Sequence, residues 1–382
     1  MEQELRISQR AKQYPASGIR KMFDLAAQYP EAIKLTVGEP NFDTPQYIKD
    51  AAKRALDEGQ THYAPNAGTT ELREAVAAKY RKQYWEGYTK DHVIITVGAM
   101  EGLFLAMMTL LDPGDEILVP DPCFPNYYGQ ASSIGARAVP VPTYEEYDYR
   151  IQAADIEKAV TPRTRAILLN SPCNPTGAVL TKEDILAIAK VAKTHDLWVL
   201  TDEPYDAIVY DGIQPYSMAQ VPEMQDRVMV LNSFSKSYAM TGWRLGWCMA
   251  DARLMDRIQV FHQYCVTSVP SFVQRACVTA LETDTSDVVE IFRRRRDYVY
   301  QRLVDMGLDV EKPEGAFYMF VDIRKFGMDS NTFCTRMLKE GLVGVIPGIH
   351  FGTEGFMRLS YCYSDADLKE GLDRIEKFIK SL

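Results

Sequence analysis

Several features are scarce in this 382-residue chain, and each scarcity excludes something. The seven cysteines (Cys123, Cys173, Cys248, Cys265, Cys277, Cys334 and Cys362) are scattered, with no Cys-x-x-Cys pair. That spacing resembles neither a metal knuckle nor a disulfide framework, so reduced core thiols are expected and no metal site. No apolar run approaches the ~20 residues that cross a bilayer. The start, Met1-Glu2-Gln3-Glu4-Leu5-Arg6, lacks the apolar segment of a secretory signal, so the cytoplasm is the expected compartment. Positive charge is in deficit: 43 Lys and Arg against 52 Asp and Glu leave a net charge of -9, which argues against nucleic-acid or membrane partners. The run Arg293-Arg294-Arg295-Arg296 is a local exception. It lies in an amphipathic pattern from Val288 to Leu303, and a solvated helix face accounts for it.

What is present is an ordinary globular composition, long enough for two domains or for one large domain with a smaller companion. A helical pattern runs from Ile19 to Tyr29, and Leu35 to Pro45 is a loop rich in Gly and Pro. Thr44 is expected to cap a helix that starts at Pro45 and stops at Gly59. Short apolar strands then alternate with helices to about residue 250. The strand candidates are Val93–Val97, Glu116–Val119, Ala138–Val141, Ala166–Leu169, Trp198–Thr201, Val228–Leu231 and Leu245–Met249. Helices are expected at Met100–Leu111 and Lys182–Lys193, the latter capped by Thr181 with Asp184. This alternation predicts an α/β fold: a mostly parallel central sheet flanked by helices. After about residue 285 the order changes to α+β: a long helix, a strand in Ala316–Ile323, a helix near Thr332–Lys339, a strand at Phe356–Tyr361 and a helix from Ser364. There is no internal repeat and no low-complexity segment.

In a parallel α/β sheet, ligands sit outside the carboxyl ends of the strands. Gly98-Ala99-Met100-Glu101-Gly102 follows one strand and opens an apolar helix, whose free amides suit a phosphate; a plain glycine turn would look alike. Asn170-Ser171-Pro172-Cys173-Asn174-Pro175-Thr176-Gly177 follows another, and its stiff loop fixes the Asn174 amide to meet a phenolic oxygen or a carboxylate; an Asx turn is the plainer alternative. Thr201-Asp202-Glu203-Pro204-Tyr205 puts an acid at the end of a buried strand, which needs a cation such as a protonated pyridine nitrogen. Tyr205 is placed to reach the same ring, and a capping role is the plainer alternative for Asp202.

The fourth strand end, Asn232-Ser233-Phe234-Ser235-Lys236-Ser237, sets a lysine among hydroxyls, with Thr241-Gly242-Trp243-Arg244-Leu245-Gly246 close behind. Such a lysine suits a Schiff base with a phosphorylated aldehyde such as pyridoxal phosphate, the hydroxyls and Arg244 holding the phosphate. Alone it also fits a surface turn; four strand ends with complementary partners for one cofactor are a stronger signal.

With Val37-Gly38-Glu39-Pro40, Tyr63-Ala64-Pro65-Asn66-Ala67-Gly68 and Phe356-Met357-Arg358-Leu359-Ser360, these motifs resemble, in order and spacing over nearly the whole chain, the class I/II aminotransferases, pyridoxal 5'-phosphate enzymes of fold type I. The resemblance implies a large cofactor domain over residues 46–285 and a smaller α+β domain built from residues 1–45 and 286–382. It implies Lys236 as the Schiff-base lysine and later the base that moves the substrate proton. It implies Asp202 as partner of the pyridine nitrogen, Tyr205 and Asn174 as donors to the phenolic oxygen, and Phe124 as the aromatic that stacks on the ring. Ser233, Ser235, Arg244 and the amides of Ala99 and Met100 are implied around the phosphate. Tyr63 is similar to a tyrosine that reaches the phosphate from a neighbouring subunit, which implies a homodimer with shared sites. Arg358 is similar to the arginine that grips the substrate carboxylate, with Gly38 on the substrate side. Ser17-Gly18-Ile19-Arg20 resembles a mobile segment that covers the site.

Two positions depart from relatives that favour aspartate. Met100 stands where a lysine is often found, and Phe124 replaces a frequent tryptophan or tyrosine. Both changes remove polarity, so the expected substrates are an apolar, aromatic or alanine-like L-amino acid and a 2-oxo acid such as 2-oxoglutarate, in a ping-pong reaction. A β-lyase acting on sulfur amino acids would use the same lysine. A ligand-sensing domain of a transcription regulator would carry a DNA-binding module ahead of the match, for which there is no room here.

Overall fold

The computed structural model describes residues 6–8, 11–12 and 18–382. Its strands are β1 (Ile33–Lys34), β2 (Val93–Thr96), β3 (Glu116–Asp121), β4 (Arg137–Pro142), β5 (Thr164–Asn170), β6 (Trp198–Asp202), β7 (Val228–Ser233), β8 (Gly246–Met249), β9 (Tyr318–Asp322), β10 (Val343–Gly344), β11 (Ile346–Pro347) and β12 (Phe356–Ser360). Seven form one sheet in the order β2-β8-β7-β6-β5-β3-β4. Each of the seven expected strands is present, and neighbours are parallel except at β8, which runs antiparallel to both β2 and β7.

The apolar runs make both faces of this sheet dry. Along β5, Ile167 and Leu169 enter the core on one face while Ala166 and Leu168 enter the core on the other. In β7, Val228 and Val230 point one way and Met229 and Leu231 the other. Successive strand side chains alternate sides, so an uninterrupted apolar strand needs helices on both. Lys182–Thr194 is one such helix, and its expected capping box of Thr181 with Asp184 is formed. Among the described residues, no helix is long and apolar enough to cross a membrane.

A third core gathers the antiparallel sheet β11-β12-β9 with the helices Ser286–Asp305, Ser330–Gly341 and Asp365–Ile379. The parallel pair β1–β10 ties the start of the described chain to this layer. Two expectations fail here. Thr44 caps nothing: the helix is Gln46–Asp57 with Pro45 before it, and the Thr44 hydroxyl donates to the Ala239 carbonyl at 2.6 Å and accepts from Trp243 Nε1 at 3.0 Å. Nor is the arginine run a solvated face, because Arg296 is only 1% exposed. A helix cannot keep four consecutive residues on one side. Arg296 therefore turns inward, where Asp211, Asp297 and the Pro313 carbonyl satisfy its guanidinium. Cys265 is exposed while the other six cysteines are buried.

The reversal of β8 shapes one edge of the sheet. β2, β5, β6 and β7 all end at that edge, and β8 begins there, bringing Arg244 and Gly246 back beside them. Gly246 sits between Ser233 and Thr96 in the sheet. A Cβ on Gly246 would lie 2.5 Å from the Asn232 carbonyl oxygen, 2.7 Å from the Ala99 nitrogen and 2.8 Å from the Gly98 carbonyl carbon. All three are backbone atoms and none can rotate away. Gly246→Ala is therefore expected to cost roughly 1–3 kcal/mol, read as a lower urea midpoint for unfolding; an unchanged midpoint would contradict this packing.

Candidate active site

A cavity of about 300 Å³ opens at this edge of the sheet. Of the residues expected to form a site, Gly38, Ala99, Met100, Phe124, Asn174, Asp202, Tyr205, Ser233, Ser235, Lys236, Arg244 and Arg358 all line it. Tyr63 does not: it is 89% exposed, in a separate groove with Ser268 and Phe272. Gly18, Ile19 and Arg20 open the helix Gly18–Ala26, whose Ile19 and Phe23 reach the cavity, while Ser17 lies outside the described residues. Among the described residues, no group of three or more His, Cys, Asp or Glu could hold a metal ion.

Lys236 comes just after β7, and its Nζ donates to the Gly38 carbonyl at 2.6 Å. Burial pulls its ammonium down to about 8, and the positive Arg358 and Arg244 push the same way. Asp202 ends β6. Tyr127 Oη donates to its carboxylate at 2.7 Å, and Asn170 Nδ2 donates to its backbone carbonyl at 2.9 Å. Burial lifts the Asp202 carboxyl to about 6, against the opposing pull of Tyr127 and Lys236. An acid and an amine thus line one cavity, both shifted toward their neutral forms by desolvation.

Arg358, in the middle of β12, is 4% exposed. Its Nη1 donates to Asn174 Oδ1 at 2.9 Å and its Nη2 to the Thr36 carbonyl at 2.6 Å, while Nε is buried without a partner. The guanidinium lies between the Tyr318 ring, 4.5 Å from its centroid, and the Phe351 ring at 4.7 Å. Asn170 Oδ1 accepts the Asn174 amide at 2.9 Å, which fixes the loop that carries Asn174. Tyr205 Oη bonds Tyr318 Oη at 2.7 Å. The Phe124 ring meets Tyr127 edge-on at 5.8 Å, and Met100 Sδ contacts Asn126 Nδ2 at 3.4 Å.

These residues form an anion cradle. Ala99 and Met100 lie in the first turn of the helix Gly98–Leu110, whose leading amides have no acceptors within the helix. Ser233 and Ser235 face it, the Ser235 amide donating to Ser233 Oγ at 3.1 Å. Gly98 has φ +72°, and a Cβ there would sit 2.7 Å from Arg244 Nη2. The cradle, the buried acid, the two amide or phenol donors and the reactive amine fit the phosphate, ring nitrogen, ring oxygen and aldehyde of pyridoxal phosphate. Tyr127, Asn170, Tyr318 and Thr36 belong to the site and were not singled out by sequence. Asn170 opens the Asn170–Gly177 loop motif, Tyr127 lies three residues past Phe124, and Tyr318 reads as one more aromatic in an apolar strand.

The family model for class I and II aminotransferases matches residues 30–375. The chain is 44% identical to the aromatic-amino-acid aminotransferase 2 of Thermococcus litoralis over 382 residues, 98% of each chain. It is 43% identical to the aspartate aminotransferase of Pyrococcus abyssi over 372 residues, 95% of this chain and 96% of that one. The solved aspartate aminotransferase of Thermotoga maritima superposes with a TM-score of 0.94 at 35% identity, covering 98% of this chain and 100% of that one. The residues at the sheet edge and these likenesses agree: the chain belongs to the class I and II aminotransferases, the pyridoxal-phosphate enzymes of fold type I.

Proposed function

We propose that this aminotransferase takes its amino group from an apolar or aromatic L-amino acid and delivers it to a 2-oxo acid such as 2-oxoglutarate, in two half-reactions at one site. The observation that carries this reading is the setting of Lys236. Its amine shares one cavity with the Asp202 carboxyl and the Arg358 guanidinium, and Ile19, Phe23, Val37, Met100, Leu103 and Phe124 give that cavity its apolar part. When bound, pyridoxal phosphate supplies an aldehyde carbon and a ring that accepts the electrons of a broken Cα–H bond. Lys236, with its ammonium near 8, keeps roughly a tenth of its amine neutral at pH 7. That fraction is the nucleophile at Nζ, and the same atom then takes up and returns the substrate proton.

Asp202, oriented by Tyr127, would hold a ring nitrogen in its cationic form, and that cation would return the carboxyl toward its ordinary range. Asn174 uses Oδ1 on Arg358, which leaves its Nδ2 free to donate to a ring oxygen beside Tyr205. Phe124 would cover the ring. Ser233, Ser235, Arg244 and the amides of Ala99 and Met100 would hold the phosphate. Arg358 commits two of its five N–H groups to Asn174 and Thr36, and the others suit a substrate carboxylate. Among the described residues lining the cavity, the cations are Lys236, Arg244 and Arg358, each with a role, so this chain's own lining offers a distal carboxylate no further cation. This supports an apolar donor, as does the likeness to the Thermococcus litoralis protein named for aromatic amino acids.

The outward Tyr63 suits a homodimer in which a second copy brings its Tyr63 to the phosphate. We also propose that residues 46–285 form a cofactor domain and that residues 1–45 with 286–382 form the smaller one; the β1–β10 pairing supports the joining of the chain ends.

Lys236→Ala is expected to abolish covalent retention of the cofactor after borohydride reduction, read by intact-mass spectrometry. In the unsubstituted apo-protein, the rate of covalent capture should rise with pH and level off above about 8, because the neutral amine is the reactive form. A rate still climbing at pH 10, or a reducible lysine adduct in the mutant, would refute the assignment. Arg358→Ala should weaken binding of a substrate-like carboxylate by on the order of 2–5 kcal/mol while cofactor affinity changes much less; equal losses of both would place Arg358 elsewhere.

A further inference from the structure

Tyr318 opens β9, is 2% exposed, and meets the site through three contacts. Its hydroxyl lies 2.7 Å from that of Tyr205, with the rings edge-on at 5.9 Å and 83°. Its face supports the Arg358 guanidinium at 4.5 Å. Its hydroxyl also occupies the space that a side chain at residue 38 would fill: a Cβ on Gly38 would come 1.8 Å from Tyr318 Oη. Glycine at 38 is therefore what lets this phenol reach Tyr205. The Gly38 carbonyl is in turn the acceptor for Lys236.

We propose that Tyr318 is a positioning residue whose hydroxyl donates to Tyr205 and thereby sets how strongly Tyr205 donates to the cofactor's ring oxygen. This rests on the role given to Tyr205 under the proposed function. The direction follows from counting hydrogens. A phenol has one O–H. If Tyr205 gives its hydrogen to the ring oxygen, the hydrogen between the two tyrosines must come from Tyr318. Burial pushes both phenols up, so both keep their hydrogens at neutral pH. The charged or titratable groups facing the pair are Arg358, Asp202 and Cys362. Donation in series strengthens the outer bond, because each hydrogen bond polarises the next.

The test is a pH titration of the holoenzyme's visible absorbance band for Tyr318→Phe, Tyr205→Phe and the double variant. Donors to a ring oxygen stabilise its anionic form, so weakening them raises the band's midpoint. Tyr318→Phe keeps the ring beneath Arg358 and loses only the hydroxyl. It is expected to raise the midpoint by roughly 0.4–1 pH unit, the worth of one neutral hydrogen bond. Tyr205→Phe should raise the midpoint further, and the double variant should match Tyr205→Phe alone, because Tyr318 acts through Tyr205. A wild-type midpoint in Tyr318→Phe beside a shifted Tyr205→Phe would overturn the proposal and leave the role of Tyr205 standing. Additive shifts in the double variant would also overturn it. A wild-type midpoint in Tyr205→Phe would remove the role of Tyr205 and the proposal with it.

Discussion

The Lys236 side chain is partly buried and, among the described residues, forms no ion pair; a backbone carbonyl, that of Gly38, is its hydrogen-bond acceptor. Taking a charge out of water without a counter-ion is costly, and the protein meets that cost by letting the group give up its proton more readily. The same desolvation lifts Asp202, so the two groups that need opposite charges to do chemistry are both held near the point of switching. A bound cofactor would relieve both at once, giving the amine a carbon to join and the acid a cation to face. Without that desolvation neither shift would exist, and Lys236 would titrate in the ordinary lysine range.

The cavity keeps its shape because of backbone geometry more than side-chain bulk. One strand, β8, runs against its neighbours and returns Arg244 to the edge where β2, β6 and β7 end. Glycines at 38, 98 and 246 allow a phenol, a guanidinium and a strand to approach closer than any Cβ would permit. Arg358 then links the two layers of the molecule, reaching from β12 to Asn174 beyond β5 and to Thr36 beyond β1.

Much of this was legible in the sequence, for identifiable reasons. Apolar runs marked the strands because both faces of the sheet are covered, and the polar residues just past them marked the site because a buried strand end tolerates an acid such as Asp202 only with a partner. Where the sequence misled, a residue's neighbours lay far along the chain. Thr44 has the form of a helix cap, yet its hydroxyl is claimed by Ala239 and Trp243, about two hundred residues away. Arg296 looked solvated because its run is charged, and only the fold supplies Asp211 as a partner. Tyr318 carries no local signal, since its importance lies in meeting Tyr205 and Arg358 across the cavity. Tyr63 is exposed in a separate groove, so the fold of one chain gives it no place in the cavity.

The central claim is that a desolvated amine, in one cavity with an acid and a guanidinium, drives half of a transamination, with an apolar donor. The most direct measurement mixes the holoenzyme with a single amino acid and no oxo acid, following the visible band and the products. Phenylalanine or methionine should convert the band to that of the aminated cofactor and release one equivalent of the matching 2-oxo acid, faster than aspartate does. Release of ammonia and pyruvate from a sulfur amino acid in place of that conversion, or conversion faster with aspartate than with any apolar donor, would contradict it.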